Sequence, residues 1–304
     1  MSETVGIVGL GQMGSAMAAQ LLQAGFAVTG YDVVGEKCED LAARGGASVA
    51  SPQAVAEAAS RVITSLPSAA ALDDVLQGPD GLLAASRRPL TVIETSTLSL
   101  DDKERNHQAA EQAGAILLDC PLSGTGAQAR NKDLVVYASG DSGAIRDCVP
   151  VFEGFSRVHH DLGPFGTGSK MKYLANLLVA IHNVAAAEAM VLGMKAGLDP
   201  AQVYEVISSG AGTSRMFEVR GPQMVKGEYE ASGIAGRVFQ KDLRIIGDFA
   251  SSMDCPVSLF SLSSQIHLSA VAQGMDDQDT ASVCAVLERQ AGVNRSTLPR
   301  AEAS

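Results

Sequence analysis

Two lysines stand two residues apart at the head of a long apolar run, in the segment GSKMKYLAN (168–176). On a helix that turns about 100° per residue, Asn176 projects about 40° and Asn183 about 20° from Lys172. Lys170 projects about 160° away, toward the opposite side. The spacing therefore predicts a polar stripe on one face of an apolar helix. Because a buried lysine is costly unless it is paired or used, Lys172 is the candidate for chemistry and Lys170 is expected to be a solvated charge.

A glycine-rich segment, GLGQMG, follows the first apolar run and has the pattern G-x-G-x-x-G. Glycines at this spacing permit a tight turn, let the backbone approach a pyrophosphate and allow close packing of a helix on a strand. Glycines in an ordinary turn can give the same pattern, but here an apolar helix and then an acidic residue follow. The sequence predicts a dinucleotide site made by Gly9, Leu10, Gly11, Gln12, Met13, Gly14, Tyr31 and Asp32.

Asp32 also bears on which dinucleotide is bound. A carboxylate at the end of the second strand accepts hydrogen bonds from ribose hydroxyls and repels a 2′-phosphate. Val33 and Val34 follow, where an NADP enzyme favours arginine. The sequence therefore predicts NAD, although the nearby Lys37 leaves NADP open.

The segment DCPLSGTG (119–126) is a loop of small residues at the end of a predicted strand. Such a loop offers the Ser123 hydroxyl and successive backbone amides as a site for an anion such as a carboxylate. An ordinary turn after a strand is an equal alternative on spacing alone. Further along, QKDL (240–243) places Lys241 on a predicted helix, where by itself it would be a surface charge.

No metal site is predicted. His159 and His160 are adjacent, and neighbouring residues of a strand point to opposite faces, so the two imidazoles cannot easily share one ion. The sequence also has no G-x-S-x-G or H-E-x-x-H pattern, which leaves a hydrolase without support.

Composition and charge exclude several classes of protein. The 304 residues suffice for two domains, and 46% apolar with 19% charged residues is typical of a globular chain. A net charge of −11 argues against a nucleic-acid partner, because phosphate binding needs a basic surface. The five cysteines have no CxxC spacing, and the chain starts without a basic n-region, so we expect the cytoplasm. The apolar run 174–187 is expected to be too short and too polar to cross a membrane.

The elements that must hold these residues alternate in the first half of the chain. Short β-rich runs recur at 5–9, 27–31, 61–66, 90–95, 115–119, 134–139 and 156–160, with stretches of helical length between most of them. This alternation predicts an α/β domain with a Rossmann-type doubly wound parallel sheet over residues 1–163. Helical patterns then follow at 169–196, 200–208, 239–252, 257–273 and 279–290. They predict an all-α domain over residues 164–291, joined by a long helix, and a flexible tail over residues 292–304.

Taken together, the motifs resemble the β-hydroxyacid dehydrogenase family, which includes 3-hydroxyisobutyrate dehydrogenase, tartronate semialdehyde reductase and L-threonate dehydrogenase. GLGQMGSAMAAQL (9–21) is similar to the family's GLGxMGxxMAxNL, and DCPLSG is similar to its D-x-P-V-S-G. GPFGTGSKMKYLAN (163–176) is similar to G-x-x-G-x-G-x-x-x-K-x-x-x-N, and QKDL to K-D-L. The helical segment 185–208 looks closest to the L-threonate branch.

The resemblance implies an NAD-dependent enzyme that oxidises a small β-hydroxy acid or reduces the corresponding semialdehyde or keto acid. Lys172 would be its general acid–base, and Asn176 would orient the lysine or the substrate. The substrate carboxylate would rest on Ser123 and on the amides of Gly124 and Thr125. Further cofactor contacts are implied for Leu66, Pro67, Thr97 and Lys241.

Three positions depart from the family pattern. Thr125 stands where the family has a second glycine in the substrate loop, which changes the space near the acid group. Ser68 replaces the asparagine of L-P-N, and Leu100 replaces the proline after S-T-x-x. The last two are expected to alter cofactor contacts modestly.

Two other functions stay open at this point. One is imine reduction on the same architecture, and the other is a non-catalytic dinucleotide-binding module. In both groups of relatives this lysine is generally missing, so Lys172 favours the dehydrogenase. We expect a homodimer or homotetramer with no membrane partner, and the sequence does not say which hydroxy acid is used.

Overall fold

The computed structural model describes residues 3–87, 89–230 and 236–298. The chain divides into two compact units, Met1–Lys172 and Tyr173–Ser304. This division lies after the predicted boundary at 163/164, because the first turn of the helix Thr167–Lys195 is bonded to strand ends of the first unit. Each unit is described below by itself.

Six parallel strands form the main sheet of the first unit, in the order β3-β2-β1-β4-β5-β6. Their bounds are β1 Thr4–Val8, β2 Ala27–Tyr31, β3 Ala47–Ser48, β4 Arg61–Thr64, β5 Thr91–Glu94 and β6 Ile116–Asp119. The register aligns Val5 of β1 with Val28 on one side and Arg61 on the other. The strand order reverses between β1 and β4, and sheets of this type bind ligands beyond the carboxyl ends of the strands at that point. The predicted doubly wound parallel sheet is confirmed.

Helices cover both faces of this sheet, as the apolar runs of its strands require. One core cluster includes Met17, Leu21 and Phe152, and the other includes Val55 and Leu72. The helices are α1 Gln12–Gln23, α2 Gly35–Ala43, α3 Pro52–Ala58, α4 Ala69–Gln77, α5 Leu100–Gln112, α6 Gly126–Arg130 and α7 Ser142–Phe155, with a short 3-10 helix at Leu82–Ala84.

A second, small sheet lies outside the parallel one and consists of β7 Leu122–Ser123, β8 Val135–Ala138 and β9 Val158–Asp161. Strand β7 pairs antiparallel with β8, and β8 pairs parallel with β9. The prediction that segments 134–139 and 156–160 extend a single parallel sheet was therefore wrong. Strand β7 begins three residues after β6 ends, which is too few for the crossover that a parallel neighbour needs.

The second unit is helical in its described part, with no strand from residue 173 to 230 or from 236 to 298. It contains most of α8 Thr167–Lys195, followed by α9 Pro200–Ser208, α10 Arg215–Lys226, α11 Gly236–Ser252, α12 Ser258–Ala272 and α13 Val283–Ala291. Asp199 caps α9 with Pro200 at its first position. Helix α10 was not predicted, because Gly221 and Pro222 interrupt its sequence pattern; Gly221 packs against the ring of Tyr204.

Helix α8 is longer than the apolar run from which it was predicted. Its 29 residues, with a mean hydropathy of 1.7 over the most apolar window, are long and apolar enough to cross a membrane by length and composition. The expectation that the segment is too short and too polar was thus wrong. Half of that window is buried inside the protein, as in the core helix of a globular protein.

The predicted flexible tail is only partly described. Residues 295–297 form a 3-10 helix, and Arg295 donates hydrogen bonds to Glu288 and to the carbonyl oxygens of Met224 and Val225. Residues up to 298 are therefore a bound segment rather than a frayed end. Residues 299–304 lie outside the described part of the chain.

Candidate functional site

The glycine-rich turn joins β1 to α1, and its three glycines meet different surroundings. Gly9 has a φ of +91°, and a Cβ there would lie 2.2 Å from the carbonyl oxygen of Ser65. A Cβ on Gly14 would lie 1.8 Å from the carbonyl oxygen of Gly9. A Cβ on Gly11 would meet no atom of the described residues within 4 Å. The fold itself thus requires Gly9 and Gly14, whereas the open space at Gly11 fits a phosphate that approaches the backbone at the start of α1.

Asp32 is bonded to both loops that surround it. The Leu10 amide donates to its Oδ2 at 2.6 Å, and the Val34 amide donates to its Oδ1 at 2.9 Å. Each carboxylate oxygen can accept a further hydrogen bond, so ribose hydroxyls still have acceptors here. Tyr31 precedes Asp32 at the end of β2, and its carbonyl oxygen accepts from the Gly9 amide at 2.9 Å. The side chain predicted to bind ribose therefore also fixes the glycine-rich turn.

The loops after β4 and β5 hold three further predicted cofactor residues. The Leu66 amide donates to Ser96 Oγ at 2.9 Å, which joins the two loops. Pro67 is exposed and Thr97 is half-buried. Ser68 accepts a hydrogen bond from the Ala71 amide and so caps α4. The departure from L-P-N at this position therefore supplies a helix cap.

The predicted substrate loop contains β7 and the start of α6. Ser123 pairs with Val135 in the small sheet, and Gly124 has a φ of +137°, which favours glycine. Thr125 caps α6, and its own amide donates to Gln128 Oε1 at 3.0 Å. The Thr125 amide is thus bonded within the loop, which narrows the predicted carboxylate donors to Ser123 and Gly124.

This loop packs against the glycine-rich turn. A Cβ on Gly126 would lie 2.4 Å from the side chain of Gln12, which shows how closely Gln12 covers it. Farther along the same two helices, Gln20 donates to the carbonyl oxygen of Arg130 at 2.7 Å. The predicted cofactor and substrate segments of the first unit are therefore neighbours in space.

Lys172 is buried, with 7% of its surface exposed, and Lys170 is exposed. The start of their helix is bonded to the strand ends: the Gly168 amide donates to Ser139 Oγ at 2.9 Å, and the Ser169 amide donates to Asp119 Oδ2 at 2.7 Å. A Cβ on Gly168 would lie 2.3 Å from the carbonyl oxygen of Tyr137, so only glycine permits this approach. Lys172 follows Ser169 by one helix turn.

A buried ionic cluster beneath these loops was missed in the sequence. Nζ of Lys103 lies 2.6 Å from Glu94 Oε2 and 2.6 Å from Asp119 Oδ1, and all three side chains are fully buried. The signal was present, because Lys103 lies on the same face of α5 as the buried Asn106 and Ala110. It is a weak signal, because Asp102, Glu104 and Arg105 flank Lys103 on a helix that has no apolar run.

The remaining predicted residues lie in the second unit. Asn176 donates from Nδ2 to Asp242 Oδ2 at 2.9 Å, and Nζ of Lys241 lies 3.5 Å from Asp242 Oδ1. Asn183, the third member of the predicted polar stripe, is fully buried and donates to Thr280 Oγ1 at 3.1 Å. Asn183 therefore has a structural role within the second unit. Of the three residues in the predicted polar stripe, Lys172 and Asn176 stay candidates for the site.

Comparisons with known proteins decide the family. Residues 4–163 match the family described as the NAD binding domain of 6-phosphogluconate dehydrogenase, and residues 166–287 match that described as NAD-binding of NADP-dependent 3-hydroxyisobutyrate dehydrogenase. L-threonate dehydrogenase of Cupriavidus necator is 34% identical over 284 residues, which cover 93% of this chain and 95% of that protein. The chain belongs to the β-hydroxyacid dehydrogenase family.

Other members of the family have a similar sequence identity to this chain over a similar share of its length. The mitochondrial 3-hydroxyisobutyrate dehydrogenase of Mus musculus is 30% identical, with 94% of this chain and 87% of that protein covered. A crystal structure of 3-hydroxyisobutyrate dehydrogenase from Salmonella typhimurium has a TM-score of 0.85 at 31% identity, with 94% of this chain and 100% of that chain covered. As a β-hydroxyacid dehydrogenase the protein is an oxidoreductase, and its first unit is an NAD(P)-binding domain.

Proposed function

We propose that the protein oxidises a small β-hydroxy acid, or reduces the matching semialdehyde or keto acid, with Lys172 as general acid–base. The observation that carries this proposal is the burial of Lys172 one turn after Ser169, on a helix whose start is bonded to the end of β6. The names of the relatives support the substrate class, since L-threonate and 3-hydroxyisobutyrate are both hydroxy acids.

A nicotinamide dinucleotide supplies the acceptor or donor of hydride in this chemistry. The backbone at Gly11 would hold its pyrophosphate, and the Asp32 carboxylate would accept hydrogen bonds from its ribose. Leu66 and Thr97, at the ends of β4 and β5, lie on the carboxyl side of the sheet, where its nicotinamide half is expected. The placement of Lys241 near the cofactor stays a prediction.

The protein's own groups move the proton and hold the substrate. During oxidation the neutral amine of Lys172 takes the proton from the substrate hydroxyl, and during reduction the ammonium returns it to the carbonyl oxygen. The Ser123 hydroxyl and the Gly124 amide donate to the substrate carboxylate. Asn176 lies one helix turn after Lys172, and its bond to Asp242 fixes the direction of its amide.

NAD is the proposed cofactor in preference to NADP. The support is the Asp32 carboxylate, because a 2′-phosphate placed beside it would bring two negative charges together. Val33 is exposed beside it and offers no positive charge. Lys37 and Arg44 line a cleft next to Leu10, and they are the described cations that a 2′-phosphate could use if the preference were reversed.

A substrate panel tests the proposal and separates it from the two alternatives. The protein is assayed with C3 to C5 hydroxy acids and either NAD or NADP, and in parallel with cyclic imines and NADH or NADPH. Turnover of a hydroxy acid, with imines at least about 10²-fold poorer in kcat/KM, is the expected result. Imine reduction without acid oxidation would establish the imine reductase. Binding of NADH without turnover of either class would establish a non-catalytic module.

The quaternary structure and the location are also proposed rather than observed. A homodimer or homotetramer is expected, and light scattering at several protein concentrations measures it. A cytoplasmic location agrees with the five cysteines, all of which are free thiols in the described structure.

A further inference from the structure

The buried cluster around Lys103 joins elements that are far apart in the sequence. Lys103 comes from α5, Glu94 from the end of β5 and Asp119 from the end of β6. Asp119 Oδ1 accepts from Lys103 Nζ at 2.6 Å and from Ser169 Oγ at 2.8 Å. Its Oδ2 accepts from the Ser169 amide at 2.7 Å and from Ser139 Oγ at 3.3 Å. Asp119 therefore holds the start of α8 through both of its oxygens.

Glu94 extends the same cluster toward the loops on the cofactor side. Its Oε1 accepts from the Ser96 amide at 2.8 Å, and Ser96 Oγ accepts in turn from the Leu66 amide at 2.9 Å. Its Oε2 forms the ion pair with Lys103. One ammonium thus lies between two carboxylates, one bonded to the β4 and β5 loops and the other to the helix that carries Lys172.

Lys103 is charged throughout the working range of the enzyme. Burial by itself would lower its pKa, but the attraction of Asp119 and Glu94 and their hydrogen bonds outweigh burial, so the pKa of Lys103 is raised. The cluster consequently has one positive and two negative charges. Cys120 is a further titratable group near it, and burial together with Asp119 raises the pKa of that thiol, which keeps it neutral.

Such a cluster is poorly explained as a source of stability alone. Desolvation of buried ions largely cancels their attraction, and apolar residues of similar volume are often as stabilising. What an ionic cluster adds is direction, because its hydrogen bonds fix the atoms that they join. Here the fixed atoms belong to the loop before Ser123, to the loop that includes Thr97, and to the first turn of α8.

We propose that Lys103 is a positioning residue, which holds Glu94 and Asp119 together and thereby places the first turn of α8 and Lys172 for proton transfer. Without its ammonium the two carboxylates repel each other, and Asp119 loses the alignment in which it binds Ser169. A displacement of about 1 Å at a reacting group can cost on the order of 10²-fold in rate. This inference rests on the proposed role of Lys172.

The test compares Lys103→Met with the double variant Lys103→Met/Glu94→Gln. Methionine keeps the volume of lysine without its charge, so kcat should fall about 10- to 100-fold while the Kd of NADH changes less than about threefold. In the double variant one negative charge is removed as well, and the net charge of the cluster returns to −1. The glutamine keeps an oxygen for the Ser96 amide. At least about a fivefold recovery of kcat is expected, which lost packing alone would not give.

A pH profile gives a second readout of the same charges. In Lys103→Met, one of the facing carboxyls, Glu94 or Asp119, should take up a proton as the pH falls, which relieves the repulsion. The ratio of variant to wild-type kcat should therefore rise at least about threefold between pH 8 and pH 6. In the double variant the ratio should stay nearly constant.

Asn106→Ala is the matched control, because Asn106 is equally buried on α5 but bonds to Asp73 and Gln77 of α4. It should lower stability and leave kcat of the folded enzyme within about twofold of wild type.

Amide hydrogen exchange provides a readout that needs no activity. Exchange over residues 166–172 should accelerate at least about tenfold in Lys103→Met and stay normal in Asn106→Ala. Normal exchange there, or a Lys103→Met enzyme with wild-type kcat, would overturn the positioning role. If Lys172→Ala proved fully active while exchange accelerated as expected, the proposed function would fail and the link from Lys103 to α8 would stand.

Discussion

At the scale of single residues, Asp32 has two tasks that the sequence showed only in part. Its place at the end of β2 indicated ribose binding, and the structure adds that it accepts from the Leu10 and Val34 amides. A residue with both tasks cannot be exchanged for one without a side-chain acceptor oxygen unless the turn beside it moves. The choice of substitution therefore matters when its effect on the cofactor is measured.

We expect NAD to be preferred over NADP by at least about tenfold in kcat/KM, equivalent to ~1.4 kcal/mol. Asp32→Asn keeps an acceptor for the Leu10 amide but removes the negative charge, so it should narrow this preference mainly by improving NADP. Steady-state kinetics with both cofactors measures it. Tighter binding of NADPH than of NADH by the wild-type protein would contradict the assignment.

Ser123 is the second residue whose predicted role, binding of the substrate carboxylate, can be tested by a single substitution. If its hydroxyl donates to the substrate carboxylate, Ser123→Ala should raise KM about 10- to 100-fold, the range for a lost hydrogen bond to a charged group. Little change in kcat is expected if the bond is equally strong in the ground and transition states. The methyl ester of the substrate should be poor for the wild type, and Ser123→Ala should discriminate less between acid and ester. Equal discrimination by both enzymes would remove Ser123 from the acid site.

At the scale of elements, the turn between β1 and α1 separates glycines required by the fold from the glycine available to a ligand. The chain's own backbone fills the space beside Gly9 and Gly14, whereas none of the described residues fills the space beside Gly11. Gly11 also has a φ of −63°, which any residue can adopt.

Gly11→Ala and Gly14→Ala are therefore a matched pair. Gly11→Ala should leave the thermal stability within about 0.5 kcal/mol of the wild type while it weakens NADH binding at least about tenfold, because the new methyl group occupies the phosphate space. Gly14→Ala should lower stability, because its Cβ would clash with the Gly9 carbonyl oxygen. Thermal unfolding and NADH titration give both quantities. Two variants with the same pattern of losses would mean that Gly11 is also a packing residue.

The elements that the sequence predicts well are those that bury an apolar run. The segments 27–31 and 115–119 correspond closely to β2 and β6, since a strand covered on both faces is apolar along its length. The two-residue strands β3 and β7 and the helix α10 were missed, because short pairings leave no periodic pattern and Gly221 with Pro222 imitates a loop. The sequence pattern predicted a strand or helix best where successive residues of that element are buried.

The candidate site divides in the same way. The glycine-rich turn and the burial of Lys172 follow from spacing within one element, and the angle of about 160° between Lys170 and Lys172 agrees with their exposed and buried positions. The cluster of Lys103, Glu94 and Asp119 depends on which strand ends become neighbours. Which strand ends are neighbours follows from the strand order of the sheet, and that order cannot be read from a single sequence.

At the scale of the whole molecule, the two units have different buried ionisable groups. The first has the Lys103 cluster, in which the raised pKa of Lys103 keeps its ammonium charged at working pH. The second has His267, whose Nε2 lies 3.4 Å from the carbonyl oxygen of Ala180 and whose ring meets Phe239 edge-on. Burial, together with the nearby Arg220 cation, lowers the pKa of His267 to about 4, against the opposing effect of its hydrogen bond to the Ala180 carbonyl oxygen.

His267 should make stability fall in acid. An unfolded histidine titrates near pH 6.5, so between about pH 6.5 and pH 4 the unfolded chain binds a proton that the folded chain does not. The stabilising contribution of His267 is fully present above pH 6.5. On going from pH 7 to pH 5, the free energy of unfolding should fall by about 2 kcal/mol. Urea unfolding at the two pH values should show this loss reduced in His267→Gln and unchanged in His160→Gln, an exposed position. An identical pH dependence in His267→Gln and wild type would contradict it.

The central claim is that Lys172 transfers the proton, and its neighbour Lys170 offers the most direct comparison. Lys172→Ala should lower kcat on the order of 10²- to 10⁴-fold, the scale of a lost general acid–base group, with NADH binding nearly unchanged. Lys170→Ala carries the same loss of charge at an exposed position and should change kcat less than about threefold. The limb of the pH–rate profile that belongs to the lysine should vanish only in Lys172→Ala. Equal losses in both variants, or near-normal turnover by Lys172→Ala, would contradict the account.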